Sequence, residues 1–335
     1  MKVDAPLYSF DAPEDEVQRL EAKGYAGAFT YEGPHDPFFP LLLAARASQT
    51  IDLYPAVAIG FARNPMILAN IGWDLQAISG GRFILGLGTQ IRPHIEKRFN
   101  MPWSRPAARM REMVMAIKEI WRSWEANDRL DFRGEFYQHT LMTPMFNPGS
   151  APHGPPPIYL AGVGPKMTQV CGEVADGFFV HPFSTMRSFG ELTLPAVDRG
   201  LEKSGRAASD LAISLQVMVC TGASDEEIEA SRQSTKQQIA FYGSTPAYRP
   251  VLECHGWGDL QSELNRLTKE GKWGEMNGLI SDELLEEIAV CAPIGEVAKR
   301  VRERAQGRAD RVSLVAHWNS DPDLWDDVVR DLSAG

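Results

Sequence analysis

The sequence predicts an α/β protein in which a single domain, residues 1–335, forms a TIM (β/α)₈ barrel with insertions. Short apolar segments alternate with longer amphipathic segments about eight times along the chain, the order typical of parallel strands and their connecting helices. Open doubly wound sheets share this alternation. The length favours the barrel, because a barrel needs about 250 residues and the chain has 335.

The predicted strands are short and apolar, and glycine, proline or polar residues bound them. The strand at 82–88 lies in GGRFILGLGTQ, where glycines precede and follow the apolar run. Such a continuous run is expected for a strand that is buried on both faces. The full set covers residues 3–8, 27–32, 51–61, 82–88, 156–161, 177–180, 211–220 and 311–315.

The predicted helices have apolar residues at helical spacing, and several have recognisable first turns. Acidic residues begin the helix at 13–23, where they oppose the positive end of its dipole. Asn64-Pro65 begins another helix, since proline is tolerated in a first turn, and Ser224 and Glu227 have the spacing of a capping box. The other helices are expected at 37–48, 104–125, 165–174, about 185–203, 295–304 and 322–332.

Two segments without a clear strand, residues 126–155 and 244–292, are predicted to be insertions, and the second is expected to form a helical lid. Aromatic residues in and beside the second segment suit a cover over a flat ring and a substrate. They could equally form the small core of the cover itself. The residues predicted to contact the substrate or line the lid are Phe61, Tyr242, Tyr248, His255 and Trp257.

Composition and charge favour a soluble, cytoplasmic protein. The N-terminal sequence MKVDAPLYSF lacks the pattern of a signal peptide, and no apolar run reaches the roughly 18 residues of a membrane span. The net charge of −10 argues against a surface for nucleic acid or anionic membranes. No CxxC pair is present, so reduced, packed thiols are expected instead of a metal site. The cysteines are Cys171, Cys220, Cys254 and Cys291.

A glycine-containing turn between a predicted strand and a predicted helix is the clearest candidate ligand site. Free backbone N–H groups and the positive end of the helix dipole make such a turn suitable for phosphate. The next strand ends at His181, on the same rim of a barrel. The alternative is a plain turn, and GVGPKM lacks the third glycine of a G-x-G-x-x-G motif. The turn comprises Gly162, Val163, Gly164, Pro165, Lys166 and Met167.

Three stretches, GGRFILGLGTQ, AGVGPKMTQVCGEVADGFFVHPF and FYGSTPAYRPVLECHGW, resemble the luciferase-like monooxygenase superfamily. More narrowly, they resemble its coenzyme F420-dependent oxidoreductases of the mycobacterial type. The similarity extends from Val3 to about Val315. It implies a bacterial luciferase-like barrel that carries an isoalloxazine-like ring across its mouth. The cofactor phosphate would then lie at residues 162–167, with help from the strand end near His181.

The resemblance also implies a non-proline cis peptide in the third strand, which would bulge against one face of the ring. Counting back from Arg63 and Pro65 places this bond at 56–57, and a plain buried strand is the alternative. The residues after the fourth strand are predicted to hydrogen-bond the polar edge of the ring, unless they are simply loop residues. The predicted ring contacts are Ala56, Val57, Ala58, Gly88, Thr89 and Gln90.

Glu32 and His35 are the predicted catalytic residues. They lie at and after the end of the second strand, at the rim where barrel enzymes place catalytic groups. The resemblance puts an acidic residue and a histidine near the ring at about these positions. Either side chain could exchange the proton that accompanies hydride transfer. In the alternative interpretation, Asp36 caps the helix that begins at Pro37 and His35 is a solvated loop residue.

A basic cluster follows the fourth strand. One interpretation is a solvated helix face. The other is a surface that attracts an anionic cofactor tail, such as the oligoglutamate of a deazaflavin. The cluster consists of Arg92, His94, Lys97 and Arg98.

Together these features predict an oxidoreductase that transfers hydride between coenzyme F420 and a small organic substrate. The first alternative is an FMN-dependent monooxygenase that uses oxygen and FMNH₂ supplied by a partner reductase. A metal-assisted lyase or hydrolase is the second, although only Glu32 and His181 stand at strand ends as ligands. A Ser244–His255–Asp259 triad lacks the G-x-S-x-G elbow. The resemblance further implies a homodimer.

Overall fold

The structure is a computed structural model that describes residues 1–305, 307–316 and 321–334. Strands and helices alternate along this part of the chain. The strands are β1 (Lys2–Pro6), β2 (Gly27–Thr30), β3 (Asp52–Pro55), β4 (Ala58–Ile59), β5 (Leu85–Gly88), β6 (Phe132–Arg133), β7 (Gln138–His139), β8 (Ile158–Ala161), β9 (Gly177–Val180), β10 (Ala212–Cys220), β11 (Ala289–Cys291) and β12 (Arg311–Val315).

The α-helices lie on the outside of the sheet and in the segment between β10 and β11. They are α1 (Pro13–Ala22), α2 (Phe38–Ala47), α3 (Pro65–Ile78), α4 (Pro106–Ala126), α5 (Pro165–Val174), α6 (Met186–Ser188), α7 (Leu194–Ser204), α8 (Asp225–Gly243), α9 (Arg249–Glu253), α10 (Gly258–Lys269), α11 (Trp273–Met276), α12 (Asp282–Ile288), α13 (Ile294–Ala305) and α14 (Asp326–Ala334).

The parallel strands follow the order β3, β2, β1, β12, β10, β9, β8, β5 and β4. β3 and β4 are two parts of one barrel strand, because β3 pairs with β2 and β4 pairs with β5. A further bridge joins Leu53 of β3 to Phe83 before β5, so the two ends of the sheet meet. The predicted (β/α)₈ barrel is confirmed.

The third barrel strand differs from the prediction of one strand over 51–61. It is interrupted at Ala56-Val57, whose peptide bond is cis, and it ends at Ile59, before a 3₁₀ turn at Gly60–Ala62. The cis bond that the resemblance implied is therefore present. Apolar composition alone could not reveal the interruption, since the residues on both sides suit a buried strand.

Two glycines of β5 accommodate this interruption. A Cβ on Gly86 would lie 1.8 Å from the carbonyl oxygen of Pro55, and one on Gly88 would lie 2.5 Å from Cγ2 of Val57. Neither position can therefore carry a side chain without moving the third strand. The LGLG pattern of β5 reflects this close approach of two backbones.

Aromatic side chains fill part of the barrel interior. The Tyr54 ring stacks between Phe29 and Phe179, with centroids 5.6 and 5.5 Å away. Tyr159 and Ile84 complete this buried cluster. The interior is thus a packed core and not a channel, as expected for a barrel of this size.

A buried ion pair joins the first and last barrel strands. The Arg311 guanidinium donates from Nε and Nη2 to the two carboxylate oxygens of Asp4, at 2.7 Å each, and from Nη1 to Asp52 at 2.6 Å. The Tyr54 hydroxyl donates to Asp4 at 2.6 Å. Gly27 leaves room for this network, because its Cβ would lie 2.4 Å from both Asp4 and Arg311.

The first segment predicted as an insertion contains a short hairpin that the sequence did not reveal. β6 and β7 pair antiparallel within 126–155. Glu112 of α4 holds their connection, since its carboxylate accepts hydrogen bonds from the N–H groups of Glu135, Phe136 and Tyr137 at 2.9, 2.6 and 2.7 Å.

The second segment, 244–292, contains helices α9 to α12 and ends in β11. β11 pairs parallel with β10, with Cys291 opposite Cys220. The sequence analysis missed β11 because a run of three residues, AVC, does not distinguish a strand from the end of a helix. The helix predicted at about 185–203 is likewise divided into α6, a π-turn at Phe189–Thr193 and α7.

Apolar side chains remain exposed on the outer helices. Phe39 and Leu43 of α2 are 64% and 40% exposed, and Ile67 of the adjoining α3 is 53% exposed. The homodimer stays a prediction.

Within the described residues, no helix combines the length and the apolar character that crossing a membrane requires.

Candidate active site

The turn at Gly162–Met167 leaves β8 and leads into α5. Gly164 precedes the helix with φ −83° and ψ 155°, and no side chain caps the first turn. Val163 is 39% exposed, and Pro165 and Lys166 are exposed as well. The turn therefore faces open space instead of being sealed beneath other side chains.

Several backbone donors of this turn are free. The N–H groups of Met167 and Thr168 both reach the carbonyl of Gly164, at 3.0 Å. Those of Val163, Gly164 and Lys166 have no hydrogen-bond acceptor among the residues described. Free N–H groups at the start of a helix are the donors that bind phosphate.

The two glycines of the turn have different functions. A Cβ on Gly162 would lie 2.9 Å from Cγ of Met167 and 3.2 Å from the backbone nitrogen of Thr168, so the turn needs glycine there. A Cβ on Gly164 would meet nothing within 4 Å. Gly162 is thus required by packing, whereas the space beside Gly164 is available to a ligand.

Small apolar residues lie between this turn and the barrel interior. Ala56, Val57 and Ala161 are partly exposed and pack against the buried aromatic cluster. Ala58 is fully buried, and its backbone pairs with Leu87 of β5. A flat ring could rest on the first three residues, but not on Ala58.

The residues after β5 form a tight turn. Thr89 donates through its hydroxyl to the carbonyl of Gln90 at 2.9 Å, and the side-chain oxygen of Gln90 accepts from Ile91 N–H at 3.0 Å. Gln90 has a left-handed backbone, with φ 60°. These contacts use part of the hydrogen-bonding capacity of both side chains and leave the Gln90 amide N–H₂ available.

Glu32 belongs to a charged network above the second strand. Its Oε2 accepts from the N–H of Ile59 and from Nη1 of Arg63, at 2.6 Å each. Arg63 also donates from Nη2 to Asp36 at 2.8 Å. The Glu32 side chain is 6% exposed, and its Oε1 accepts no hydrogen bond from any residue that the structure describes. One carboxylate oxygen is therefore fixed, and the other is open to a ligand.

This network keeps Arg63 charged and also holds the backbone at the start of α2. Burial alone would lower the pKa of Arg63, but hydrogen bonds and charge from Glu32 and Asp36 raise it above its ordinary value. Asp36 in addition accepts from Phe38 N–H at 2.9 Å, at the start of α2. The capping interpretation of Asp36 is thus supported by a direct contact.

His35 lies apart from this network. Its ring stacks on Phe10, with centroids 4.0 Å apart and an angle of 19° between the planes. The side chain is exposed. The structure brings Glu32 toward the third strand and leaves His35 on the loop above it.

Two exposed tyrosines at the same rim were missed by the sequence analysis. Tyr8 follows β1 and is 69% exposed, and Tyr31 follows β2 and is 55% exposed. Both were included in predicted strands, whose ends were placed two residues too late. Their position within two residues of a strand end, at the rim where barrel enzymes place functional groups, is a signal that could have identified them.

His181 follows β9 and packs against aromatic residues of α8 and of the segment 244–292. Its ring stacks on Tyr248 at 4.6 Å and meets Tyr242 edge-on at 4.7 Å. Its Nδ1 accepts from Phe183 N–H at 3.1 Å, and its Nε2 lies 2.9 Å from the Tyr248 hydroxyl oxygen. Burial lowers the pKa of His181 to about 3. A neutral histidine with both nitrogens engaged cannot offer a positive charge to a phosphate.

The low pKa of His181 predicts an acid-dependent loss of stability. An unfolded histidine takes up a proton at about pH 6.5, whereas folded His181 does so only near pH 3. Between these values the unfolded state binds more protons, so stability is complete above about pH 6.5 and decreases on acidification. We expect acidification from about pH 7 to about pH 5 to lower the free energy of unfolding by about 2 kcal/mol more in the wild type than in His181→Gln.

Urea unfolding of both proteins between about pH 7 and about pH 5 measures this difference. Comparison with the variant removes the contribution of all other titrating groups. Equal slopes for the two proteins would contradict a buried, neutral His181.

The remaining residues predicted for the lid have mainly structural contacts. His255 Nε2 lies 2.9 Å from the Thr185 hydroxyl, and its ring stacks on Trp257 at 4.9 Å. Phe61 is 3% exposed and packs edge-on against Trp103. The contact between His255 and Thr185 joins the segment 244–292 to the loop after β9. The contact between Phe61 and Trp103 packs the turn after β4 against the loop before α4.

The basic cluster is partly occupied by internal contacts. Arg98 donates to the carbonyl of Gly33 at 2.8 Å, and Arg92 donates to Glu96 at 2.9 Å. His94 and Lys97 are exposed. Two of the cations are thus tied to neighbouring groups of the protein.

The disfavoured hydrolase triad does not assemble. The Ser244 hydroxyl donates to the carbonyl of Phe241 at 2.7 Å, and the His255 ring forms a hydrogen bond with Thr185.

All four cysteines carry free thiols. In the described ranges, no three histidine, cysteine or carboxylate side chains come together as a metal site.

Comparison with known proteins gives a family match over most of the chain. The model of the luciferase-like monooxygenase family matches residues 5–311. A Mycobacterium tuberculosis protein named Uncharacterized protein Rv1360 is 54% identical over 298 residues, which cover 89% of this chain and 88% of that protein.

Two further comparisons involve methanopterin reductases. The 5,10-methylenetetrahydromethanopterin reductase of Archaeoglobus fulgidus is 28% identical over 281 residues, covering 81% of this chain and 79% of the reductase. The structure of the coenzyme F420-dependent tetrahydromethanopterin reductase from Methanopyrus kandleri superposes with a TM-score of 0.77 at 19% identity, covering 99% of this chain and 96% of that one. The latter similarity establishes the fold.

Proposed function

Because the chain belongs to the luciferase-like monooxygenase family, a family of flavin and deazaflavin oxidoreductases, we propose that it transfers hydride between coenzyme F420 and a small organic substrate. The observation that carries the proposal is the open turn at Gly162–Met167, with three unbonded N–H groups at the start of a helix. The name of the Methanopyrus kandleri reductase includes coenzyme F420, and that relation supports the choice of deazaflavin.

The residues around the barrel mouth suit a flat cofactor that bears a phosphate. The space beside Gly164 would admit the phosphate, since a Cβ there meets no atom within 4 Å. Ala56, Val57 and Ala161 offer a partly exposed apolar surface for one face of the ring. The Gln90 amide remains available to the polar edge of the ring.

When bound, F420 supplies a two-electron hydride carrier whose ring carbon, at the place of the flavin N5, disfavours oxygen chemistry. The N–H groups of Val163, Gly164 and Lys166 would bind the phosphate. Glu32 presents its free Oε1 while Arg63 and Ile59 N–H hold Oε2 in place. A carboxylate in this position can hold a proton beside the reacting atoms.

A titration with both candidate cofactors tests the proposal. We expect the purified protein to bind F420 at least about tenfold more tightly than FMN, a difference of about 1.4 kcal/mol. Quenching of cofactor fluorescence gives both dissociation constants. Tight binding of FMN together with oxygen-dependent turnover of reduced FMN, and no affinity for F420, would instead establish the monooxygenase alternative.

A further inference from the structure

The proton positions in the pair formed by His181 and Tyr248 follow from three observations. Phe183 N–H points at Nδ1 of His181 from 3.1 Å, so Nδ1 must carry a lone pair. The ring is neutral because burial lowers the His181 pKa to about 3. The one remaining proton therefore lies on Nε2, which donates it to the Tyr248 hydroxyl oxygen at 2.9 Å.

This arrangement leaves the O–H proton of Tyr248 without an acceptor among the residues that the structure describes. Burial raises the pKa of Tyr248 above its ordinary value, and the nearby Tyr242 adds to this effect, so the group stays a phenol. Tyr248 thus holds a free O–H donor.

The free donor lies at the rim of the barrel. His181 directly follows β9, and β9 pairs with β8, the strand that leads into the turn at Gly162–Met167. Tyr248 is half-buried, lies in the segment 244–292 and contacts this rim through His181. Its aromatic neighbours, Tyr242 and Phe183, are uncharged, as is His181. The donor therefore lies among neutral, aromatic side chains.

We propose that Tyr248 is a catalytic residue that donates its O–H hydrogen bond to the carbonyl oxygen of a neutral ketone or aldehyde substrate. This inference rests on the proposed function. Neutral aromatic side chains favour an uncharged substrate over an anionic one. They offer an anion no positive charge that would compensate for the hydration it loses on binding.

The reduction balances with the groups already named. The reduced deazaflavin would supply a hydride, which forms a C–H bond at the carbonyl carbon while the π electron pair moves to the oxygen. That oxygen takes the phenolic proton of Tyr248. The second hydrogen that the reduced cofactor gives up would leave as a proton to water, and water returns one proton to the Tyr248 phenolate, so that the products are an alcohol and the oxidised deazaflavin. A preorganised donor aimed at an oxygen that gains negative charge typically contributes about 10²–10³ in rate.

Kinetics of Tyr248→Phe test the proposal, with Tyr25→Phe as the control, since Tyr25 precedes β2 at the opposite end of the barrel. Reduced F420 is mixed with cyclohexanone or benzaldehyde, and the absorbance of the oxidised cofactor is followed. We expect Tyr248→Phe to lower kcat/KM about 100-fold and to keep the F420 dissociation constant within about twofold. Tyr25→Phe should stay within about threefold of the wild type in both quantities.

Unchanged turnover in Tyr248→Phe would overturn the proposal. So would a wild type that binds F420 but transfers hydride to neither carbonyl compound, in which case the proposed function would still stand. A wild type that does not bind F420 would overturn both.

A second measurement does not depend on turnover. Nitrogen-15 NMR of the wild type, with the His181 signals assigned by their loss in His181→Gln, reports which ring nitrogen carries the proton. We expect the Nε2–H form. The Nδ1–H form would overturn the proposal, because Nε2 would then accept the Tyr248 proton.

Discussion

Replacing Asp4 by alanine is expected to lower the free energy of unfolding by about 3–5 kcal/mol. Asp4 and Arg311 are 0% and 3% exposed in their side chains. The substitution removes two hydrogen bonds from Arg311 and the acceptor of Tyr54. Arg311 then keeps only Asp52 as its acidic partner in this network. A buried cation that loses its main partner is among the most costly defects in a folded protein.

Urea unfolding followed by tryptophan fluorescence measures this loss. Lys2→Ala is the control, since Lys2 pairs with Asp52 while 57% exposed and should change stability by less than about 1 kcal/mol. A loss below about 1 kcal/mol for Asp4→Ala would contradict the buried geometry of this pair.

The substitution Gly164→Val is expected to weaken cofactor binding about 30-fold without unfolding the protein. Its Cβ meets nothing within 4 Å, and the backbone at φ −83° and ψ 155° suits valine. The stability should therefore change by less than about 1 kcal/mol. The added side chain occupies the space in front of the free N–H groups and displaces the phosphate. Loss of charge-assisted hydrogen bonds worth about 2 kcal/mol raises the dissociation constant about 30-fold.

Gly274→Val supplies the matched control. Gly274 lies in α11, and a Cβ there also meets nothing within 4 Å. We expect this variant to bind F420 as the wild type does, measured by the same fluorescence titration. Equal affinities of Gly164→Val and Gly274→Val would show that the phosphate does not lie at the turn.

The order of strands and helices could be predicted from the sequence because each element carries its own periodic pattern. The turn at Gly162–Met167 could be predicted for the same reason, since its glycines, proline and following helix are contiguous. The pairing of Asp4 with Arg311 could not, because the two residues are 307 positions apart. Each charge, taken alone, suits an exposed strand end.

Contacts between different loops also escaped prediction. Glu32 was identified as a candidate, but Arg63, used only to count back to the cis bond, turned out to bind it. His181 was expected to assist the phosphate. Its partner Tyr248 was assigned to the lid, and nothing in either local sequence indicates that the two rings stack. The contact between His181 and Tyr248 forms only in the folded protein, where the segment 244–292 packs against the end of β9.

The central claim is that the turn at Gly162–Met167 binds the phosphate of a flat redox cofactor above the barrel mouth. A crystal structure of the complex with F420 tests it most directly. We expect the phosphate oxygens to accept hydrogen bonds from the N–H groups of Val163, Gly164 and Lys166, with the ring against Val57. A phosphate bound elsewhere, with these three N–H groups facing solvent, would contradict the claim.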